Sequence, residues 1–275
     1  MSLIVFHPQA VAFVGHLGAV DTHRHAAPAI VVGLSKSIEF LAKGQDALVA
    51  PGAMISPGAH HELHAADQEV LTLYLEPGSD WARAVMHACG SSIFAPIIES
   101  RPWRSLAHAL IDAPSDVSAC TSALTVALEA LLMTSNAART DTRIKHALEH
   151  CRRGMEDDET LLARRLCLSG SRLRHLFVAD TGTTLSRYRL WCRIRRAVSS
   201  ALAGKSLTVA AVEAGFFDSA HFSRSFREMF GVSPSAILAR EGLICVAPNE
   251  LLPMNKAFMS GHARFAEVRS ASMAP

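Results

Sequence analysis

Apolar positions along this chain follow two rhythms, and the change falls near residue 80. Before it they come in short runs: Ala29-Ile30-Val31-Val32, Ala47-Leu48-Val49 and Glu69-Val70-Leu71-Thr72-Leu73-Tyr74-Leu75. The pairs Lys43-Gly44, Pro51-Gly52, Pro57-Gly58 and Pro77-Gly78 separate them. Short runs with Gly/Pro punctuation predict the strands of a small antiparallel barrel or sandwich. Met1–Gly18 is also apolar, but it holds His7, Pro8 and His16 and lacks a basic start, so it predicts a first strand rather than a signal peptide. From Asp80 onward Leu and Ala recur at helical spacing, most clearly Leu124, Leu128, Leu131 and Leu132 within Ser122–Met133. Ser135-Asn136-Ala137-Ala138 reads as the end of this stretch, and a second helical block runs from about Asp141 to Arg240. The tail beyond Gly242 has weak periodicity and is interrupted by Pro248, Pro253 and Pro275. The expectation is an α+β chain of two domains. A β-barrel covers residues 1–95, a helical linker 96–140, and an all-α domain 141–242, with a tail over 243–275 of unassigned role. The linker is a candidate surface for a homodimer, although a Leu stripe at helical spacing reads equally as ordinary core.

The second helical block repeats itself. Leu161-Leu162-Ala163, Leu168-Ser169-Gly170-Ser171, Leu176-Phe177 and Gly182 are echoed by Val209-Ala210-Ala211, Gly215-Phe216, Phe222 with Phe226, and Gly231. Each unit reads as a scaffold helix, a tight turn and a second helix. In the first, Glu159–Cys167 is the scaffold, with Leu161, Leu162 and Leu166 as its packing face. Ser169-Gly170 breaks it and caps the next helix. Leu173, Leu176 and Phe177 then fall on one face, which leaves Ser171, Arg172, Arg174 and His175 to point outward. In the second unit Leu207–Ala214 is the scaffold and Gly215 permits the turn. Phe222, Phe226 and Met229 or Phe230 anchor the following helix, and Ser219, His221, Ser223 and Arg224 face outward. Gly231 supplies a left-handed stop and Pro234 opens another helix. Leu185–Leu202 predicts a long connecting helix. Its core stripe is Leu190, Ile194, Ala197, Val198 and Ala201, and Arg187, Arg189, Arg193, Arg195 and Arg196 are placed for phosphates. Helices that are apolar on one face and Arg/Ser/His on the other suit a major groove, where Arg contacts guanine in bidentate fashion. Double-stranded DNA is therefore the expected partner.

Charge supports that partner once it is divided along the chain. The net +2 conceals 7 Lys/Arg against 13 Asp/Glu in residues 1–141, and 17 against 10 in residues 142–242. Only the second half favours a polyanion. The six cysteines form no C-x-x-C pair, which predicts reduced thiols rather than a disulfide framework or a zinc finger. No apolar run is long enough to cross a bilayer, so the chain is expected in the cytoplasm and away from membranes.

Thr160–Ile237 resembles the DNA-binding domain of the AraC/XylS family of transcription regulators. The resemblance is carried by Val209-Ala210, Gly215-Phe216 and the run Phe222 to Pro234. In the first unit it is carried by Leu168-Ser169, Ser171, Leu173, Leu176-Phe177 and Thr181-Gly182. It implies a two-unit domain that reads adjacent major grooves. Ser171, Arg174 and His175 would read bases in the first unit, and Ser219, Ala220, His221, Ser223 and Arg224 in the second. Arg224 is also a signature residue, which leaves a phosphate contact or an internal ion pair open for it. Phe217 departs from the polar residue usual at its place.

Two histidine segments mark the first half. His23-Arg24-His25 places two imidazoles on one face of a predicted strand, and His60, His61 and His64 follow Pro57-Gly58. The pair resembles the H-x-H and P-G-x-x-H segments of cupin barrels, which implies a cupin-like domain with His23, His25 and His61 as ligands of Zn, Ni, Fe or Cu. The carboxylate that metal-binding cupins place soon after H-x-H is missing, and Glu39 lies too far along to replace it. Strand alternation makes His60 and His64 the rival pair. Histidines at a barrel mouth, or bonded to an organic effector, are the other reading, and no cofactor follows from the sequence with certainty. The function expected is regulation of transcription, with activation as its sign, under a small effector held in the N-terminal barrel. The alternative is a metal-dependent cupin enzyme, or a metal sensor, joined to a DNA-binding module. Otherwise no catalytic arrangement is visible, and the chain is expected not to be an enzyme.

Overall fold

The computed structural model describes residues 2–17, 20–65, 67–132, 140–155, 158–238, 243–246 and 263–266. The apolar N-terminus is a hairpin rather than a single strand: β1 (Ser2–His7) pairs antiparallel with β2 (Ala10–His16), with His7 opposite Ala10. Pro8 sits in the connection, where its lack of an N–H removes no ladder bond. Then follow β3 (Val20–His23), β4 (Ala29–Gly33), β5 (Ile38–Ala42), β6 (Leu48–Ala50), β7 (Gly52–Ile55), β8 (His61–His64) and β9 (Glu69–Leu75). Helix α1 (Asp80–Cys89), β10 (Phe94–Ile97), α2 (Arg101–Asp112) and α3 (Val117–Leu132) complete the N-terminal half. With β11 (Leu243–Val246) and β12 (Ala263–Ala266) from later in the chain, sheet order is β10-β7-β4-β9-β2-β1-β11-β12 in one layer and β3-β8-β5-β6 in the other.

The larger sheet is covered on both faces, which explains why β1, β4 and β9 read as near-continuous apolar runs. In β1, Leu3 and Val5 join Trp81, Val85, Trp103, Leu106, Leu124 and Leu128 under the helices. Ile4 and Phe6 point the other way, into a core shared with the second sheet and with the C-terminal helices. Leu124, Leu128 and Leu131 are thus buried against α1, α2 and β1. The stripe read from sequence as a candidate dimer surface is interior packing.

The C-terminal domain comprises α4 (Thr142–Arg152), α5 (Glu159–Arg165), α6 (Gly170–Thr181), α7 (Leu185–Leu202), α8 (Leu207–Glu213), α9 (Ser219–Phe230) and α10 (Pro234–Leu238). The expected scaffold ends at Arg165, two residues early. The break is made by Cys167, a non-glycine residue at φ 54°, while Gly170 is the first residue of α6 and Ser169 caps it. Leu161 is exposed rather than packed, because the short helix buries only Leu162 and Ala163. After α10 the chain returns to the first domain. β11 (Leu243–Val246) pairs in parallel with β1, and β12 (Ala263–Ala266) pairs with β11. Leu243 and Cys245 are buried there, so this part of the tail is a component of the sheet. Ser135 to Ala138, Arg240, Pro248, Pro253 and Pro275 lie outside the described residues.

Candidate functional site

The twofold repeat is built from matching caps. Ser169 Oγ accepts from Arg172 N–H at the start of α6, and the Asp218 carboxylate accepts from His221 N–H at the start of α9. Both helices end on a left-handed glycine, Gly182 at φ 69° and Gly231 at φ 73°. Their turns also match: Leu168 N–H donates to Ala163 O and Phe216 N–H to Ala211 O, beside Cys167 and Gly215. Leu173 and Phe177, and Phe222, Phe226 and Met229, are buried as expected. On α6 the residues Ser171, Arg172, Arg174 and His175 are all exposed. On α9 Ala220 and Arg224 are exposed, and Ser219, His221 and Ser223 are half-buried. Several of these groups already have partners. Arg174 is ion-paired with Glu159, Ser223 Oγ donates to Ser219 O at 2.7 Å, and the His221 ring packs edge-on to Phe216. Arg224 forms no ion pair among the described residues. Phe217, the departure from the family pattern, is 87% exposed on the turn before α9.

Helix α7 differs from its reading as a connecting helix whose five arginines are all placed for phosphates. None of its five arginines is fully exposed. Arg195 donates to Glu76 at 2.5 Å, and Arg187 donates to Arg24 O at 3.0 Å and lies 3.6 Å from Glu228. These two face the barrel, so the sequence placed them wrongly at phosphates. Arg193 stacks over Phe216. The physical reason is the face formed by Tyr188, Trp191 and Arg195, which closes on Glu76 at the end of β9. Glu76 is 2% exposed and accepts from Tyr188 Oη, Trp191 Nε1 and Arg195 Nη1. Sequence reasoning missed this carboxylate. Its signal was the spacing of Tyr188, Trp191 and Arg195 on one helical face, away from the Leu190/Ile194 stripe.

Two further contacts dock the domains. Gly182 approaches so closely that a Cβ there would lie 2.6 Å from Pro57 Cγ. At α9, Asp21 N–H donates to Gly231 O at 3.1 Å, and Arg24 N–H donates to Glu228 O at 3.2 Å. Between barrel and helices lies a largely apolar cavity lined by residues such as Phe13, Val20, Tyr74, Trp191, Phe226 and Phe230, with His23 and His25 on its wall.

The five histidines of the two segments fall into a buried group and an exposed one. His23, His25 and His61 are each 1% exposed, and one ring nitrogen from each lies within 4.8 Å of the others. His60 and His64 are exposed, and His64 pairs with Glu39, which removes the rival pair. His25 lies just beyond the end of β3 rather than within it. Burial lowers the pKa of His23 to about 4 and of His61 to about 3, and takes His25 well below its ordinary value. All three rings are therefore neutral near pH 7, the form that offers a lone pair to a metal. The six cysteines are free thiols, five of them buried.

Residues 162–240 match the family model described as a helix-turn-helix domain. The uncharacterised HTH-type transcriptional regulator YidL of Escherichia coli K12 is 40% identical over 78 residues, 28% of this chain and 26% of that protein. The arabinose operon regulatory protein of the same organism is 34% identical over 104 residues, 36% of this chain and 35% of that protein. The chain thus spans about a quarter to a third of the length of the curated relatives it matches. Among solved structures, ToxT from Vibrio cholerae O395 superposes with a TM-score of 0.56 at 11% identity, covering 83% of this chain and 96% of that one. A ToxT from strain SCE256 with bound unsaturated fatty acid gives 0.53 at 13% identity, with 83% and 94% covered. The shared fold is a sheet-rich N-terminal domain followed by a helical domain. No described helix is long and apolar enough to cross a membrane.

Proposed function

We infer that this chain, whose C-terminal domain is a double helix-turn-helix of the AraC/XylS type, is a sequence-specific DNA-binding transcription regulator whose N-terminal domain answers a small effector. The observation that carries this is the duplicated reading face. Two capped helices, each packed on its own scaffold, present Ser171, Arg172, Arg174 and His175 on one unit and Ser219, Ala220, His221, Ser223 and Arg224 on the other. Footprinting of a selected duplex tests it. Protection of two segments about 10–10.5 base pairs apart is expected, one per unit. A single protected segment, or protection unaltered by changes on α6, would remove the two-unit reading.

The effector is assigned to the apolar cavity between the barrel and helices α7, α9 and α10. Its lining favours an apolar molecule, and the fatty acid bound to one ToxT of similar fold is in keeping with that chemistry. A ligand there touches both domains, so it can bind their two arrangements unequally, which is what a switch requires. Activation is the sign we propose, to be read with a reporter gene. The family reading also favours a role without catalysis. A second copy joined through the linker helices would use the outer face of α3 around exposed Val126, since Leu124, Leu128 and Leu131 face inward. Sedimentation of the full chain checks this.

A further inference from the structure

The geometry points to a divalent transition-metal site at His23, His25 and His61, whose occupancy is read by helix α9. His23 Nδ1 lies 2.8 Å from Asp21 O, and His61 Nδ1 lies 3.0 Å from Ala59 O. A carbonyl only accepts, so both Nδ1 atoms carry the proton and both Nε2 atoms present bare lone pairs. His25 Nε2 stands 2.8 Å from His23 Nε2, while His61 Nε2 is buried without a protein hydrogen-bond partner. If His25 carries its proton on Nε2, it satisfies His23 but leaves its own Nδ1 bare and buried, where no protein group reaches it. If it carries the proton on Nδ1, two lone pairs oppose each other. His61 Nε2 is unsatisfied in either tautomer. A shared cation removes the conflict in one step.

The surroundings fit such an ion. Backbone carbonyls that orient metal-binding imidazoles through their other nitrogen are the usual outer shell of such sites. Nitrogens about 2.0–2.1 Å from a tetrahedral ion stand about 3.3 Å apart, within reach of this cluster by small shifts. Three imidazoles without a carboxylate suit Zn, Ni, Cu or Fe and not Ca or Mg. His23 and His25 also line the interdomain cavity, which gives an ion a route in.

The same peptide stretch holds α9. Asp21 supplies both the carbonyl that fixes His23 and the N–H that bonds Gly231 O at the end of α9. Arg24, between two of the ligands, bonds Glu228 O. A Cβ on Gly231 would meet Asp21 O at 2.5 Å and His23 Nδ1 at 2.9 Å, so the helix end is seated directly on the ligand-bearing strand. An ion that fixes His23 and His25 fixes the seat of α9 relative to α6, whose own end abuts Pro57. In this docked arrangement Ser171, Arg172, Arg174 and His175 on α6 and Ala220 and Arg224 on α9 remain exposed. Loading therefore preorganises the pair for DNA. This coupling rests on the regulator reading above, whereas the site itself does not.

The test uses the full chain, stripped with a chelator and titrated with Co(II) and Zn(II). One equivalent bound per chain is expected, with Co(II) showing the visible bands of nitrogen ligation. His61→Ala should abolish binding, and His64→Ala, exposed and outside the cluster, should retain it. Affinity for a duplex selected from random DNA is then measured with and without Zn(II), and at least a fivefold tightening on loading is expected. Failure of the stripped wild-type chain to bind stoichiometric metal would overturn the site, independently of how any variant folds. Metal bound through His61 with DNA affinity weakened, or unchanged within twofold, would overturn the coupling. A chain that takes up metal through His61 but binds no duplex sustains the site and removes the regulator reading on which the coupling rests.

Discussion

Arg174, proposed above as a base reader, stands in an ion pair with Glu159. A guanine must displace that carboxylate, so the net gain is smaller than that of a free guanidinium. Arg174→Ala is expected to weaken specific binding by about 1–3 kcal/mol and to relax one base position, measured by titration of matched and single-mismatch duplexes. Cys167 presents a different residue-scale cost. At φ 54° it occupies a conformation that disfavours side chains, where the second unit has Gly215. Cys167→Gly should raise unfolding stability by about 1 kcal/mol, since the left-handed penalty exceeds the added chain entropy. Urea denaturation reads it, and a loss of stability would contradict the strain. Glu76 is the opposite case. Glu76→Ala leaves Arg195, Tyr188 and Trp191 without their shared acceptor and is expected to cost about 3–5 kcal/mol. A fall in melting temperature by calorimetry checks it. The histidine cluster was visible in sequence through the resemblance of its two segments to cupin motifs, whereas strand alternation alone left His60 and His64 as rivals to His61. Glu76 was not visible, because an acidic residue after an apolar run looks the same whether it meets water or three donors.

Elements were legible where a single face decided them. Leu185–Leu202 has the same limits in sequence and in structure, because its caps are local: Thr184 Oγ1 accepts from Arg187 N–H, and the stripe has helical period. What its arginines touch is a tertiary matter, and there the sequence failed. An Arg-rich face has the same pattern beside a phosphate and beside a buried carboxylate. Helix α3 carries the same lesson, since its Leu stripe could have met a second copy or its own core. Because Leu124 and Leu128 are wholly buried, Leu128→Ala is expected to lower stability by about 2–5 kcal/mol while oligomeric state stays unchanged. Denaturation paired with sedimentation separates the outcomes: dissociation without loss of stability would restore the interface reading.

At the scale of the molecule, one core cluster runs from the barrel interior into α7 and α9, joined by ring contacts of Tyr74 with Trp191 and Phe230. Two domains were predicted from the strand rhythm before residue 80 and the basic, repeated helical block after residue 141, and the chain folds as a sheet-rich half followed by a helical one. Their docking was not legible, because neither half announces which of its apolar residues face inward and which face the other half. The return of the chain from α10 to β11 was equally hidden, as four residues in a tail with prolines carry little pattern of their own. That strand also sets a schedule for synthesis. β1 is made about 240 residues ahead of its parallel neighbour β11. At about 5–20 residues per second, the edge of β1 waits on the order of 10–50 s on the ribosome for its partner. Unpaired strand edges recruit other chains, so the nascent N-terminal domain needs shielding until the helical domain has been completed.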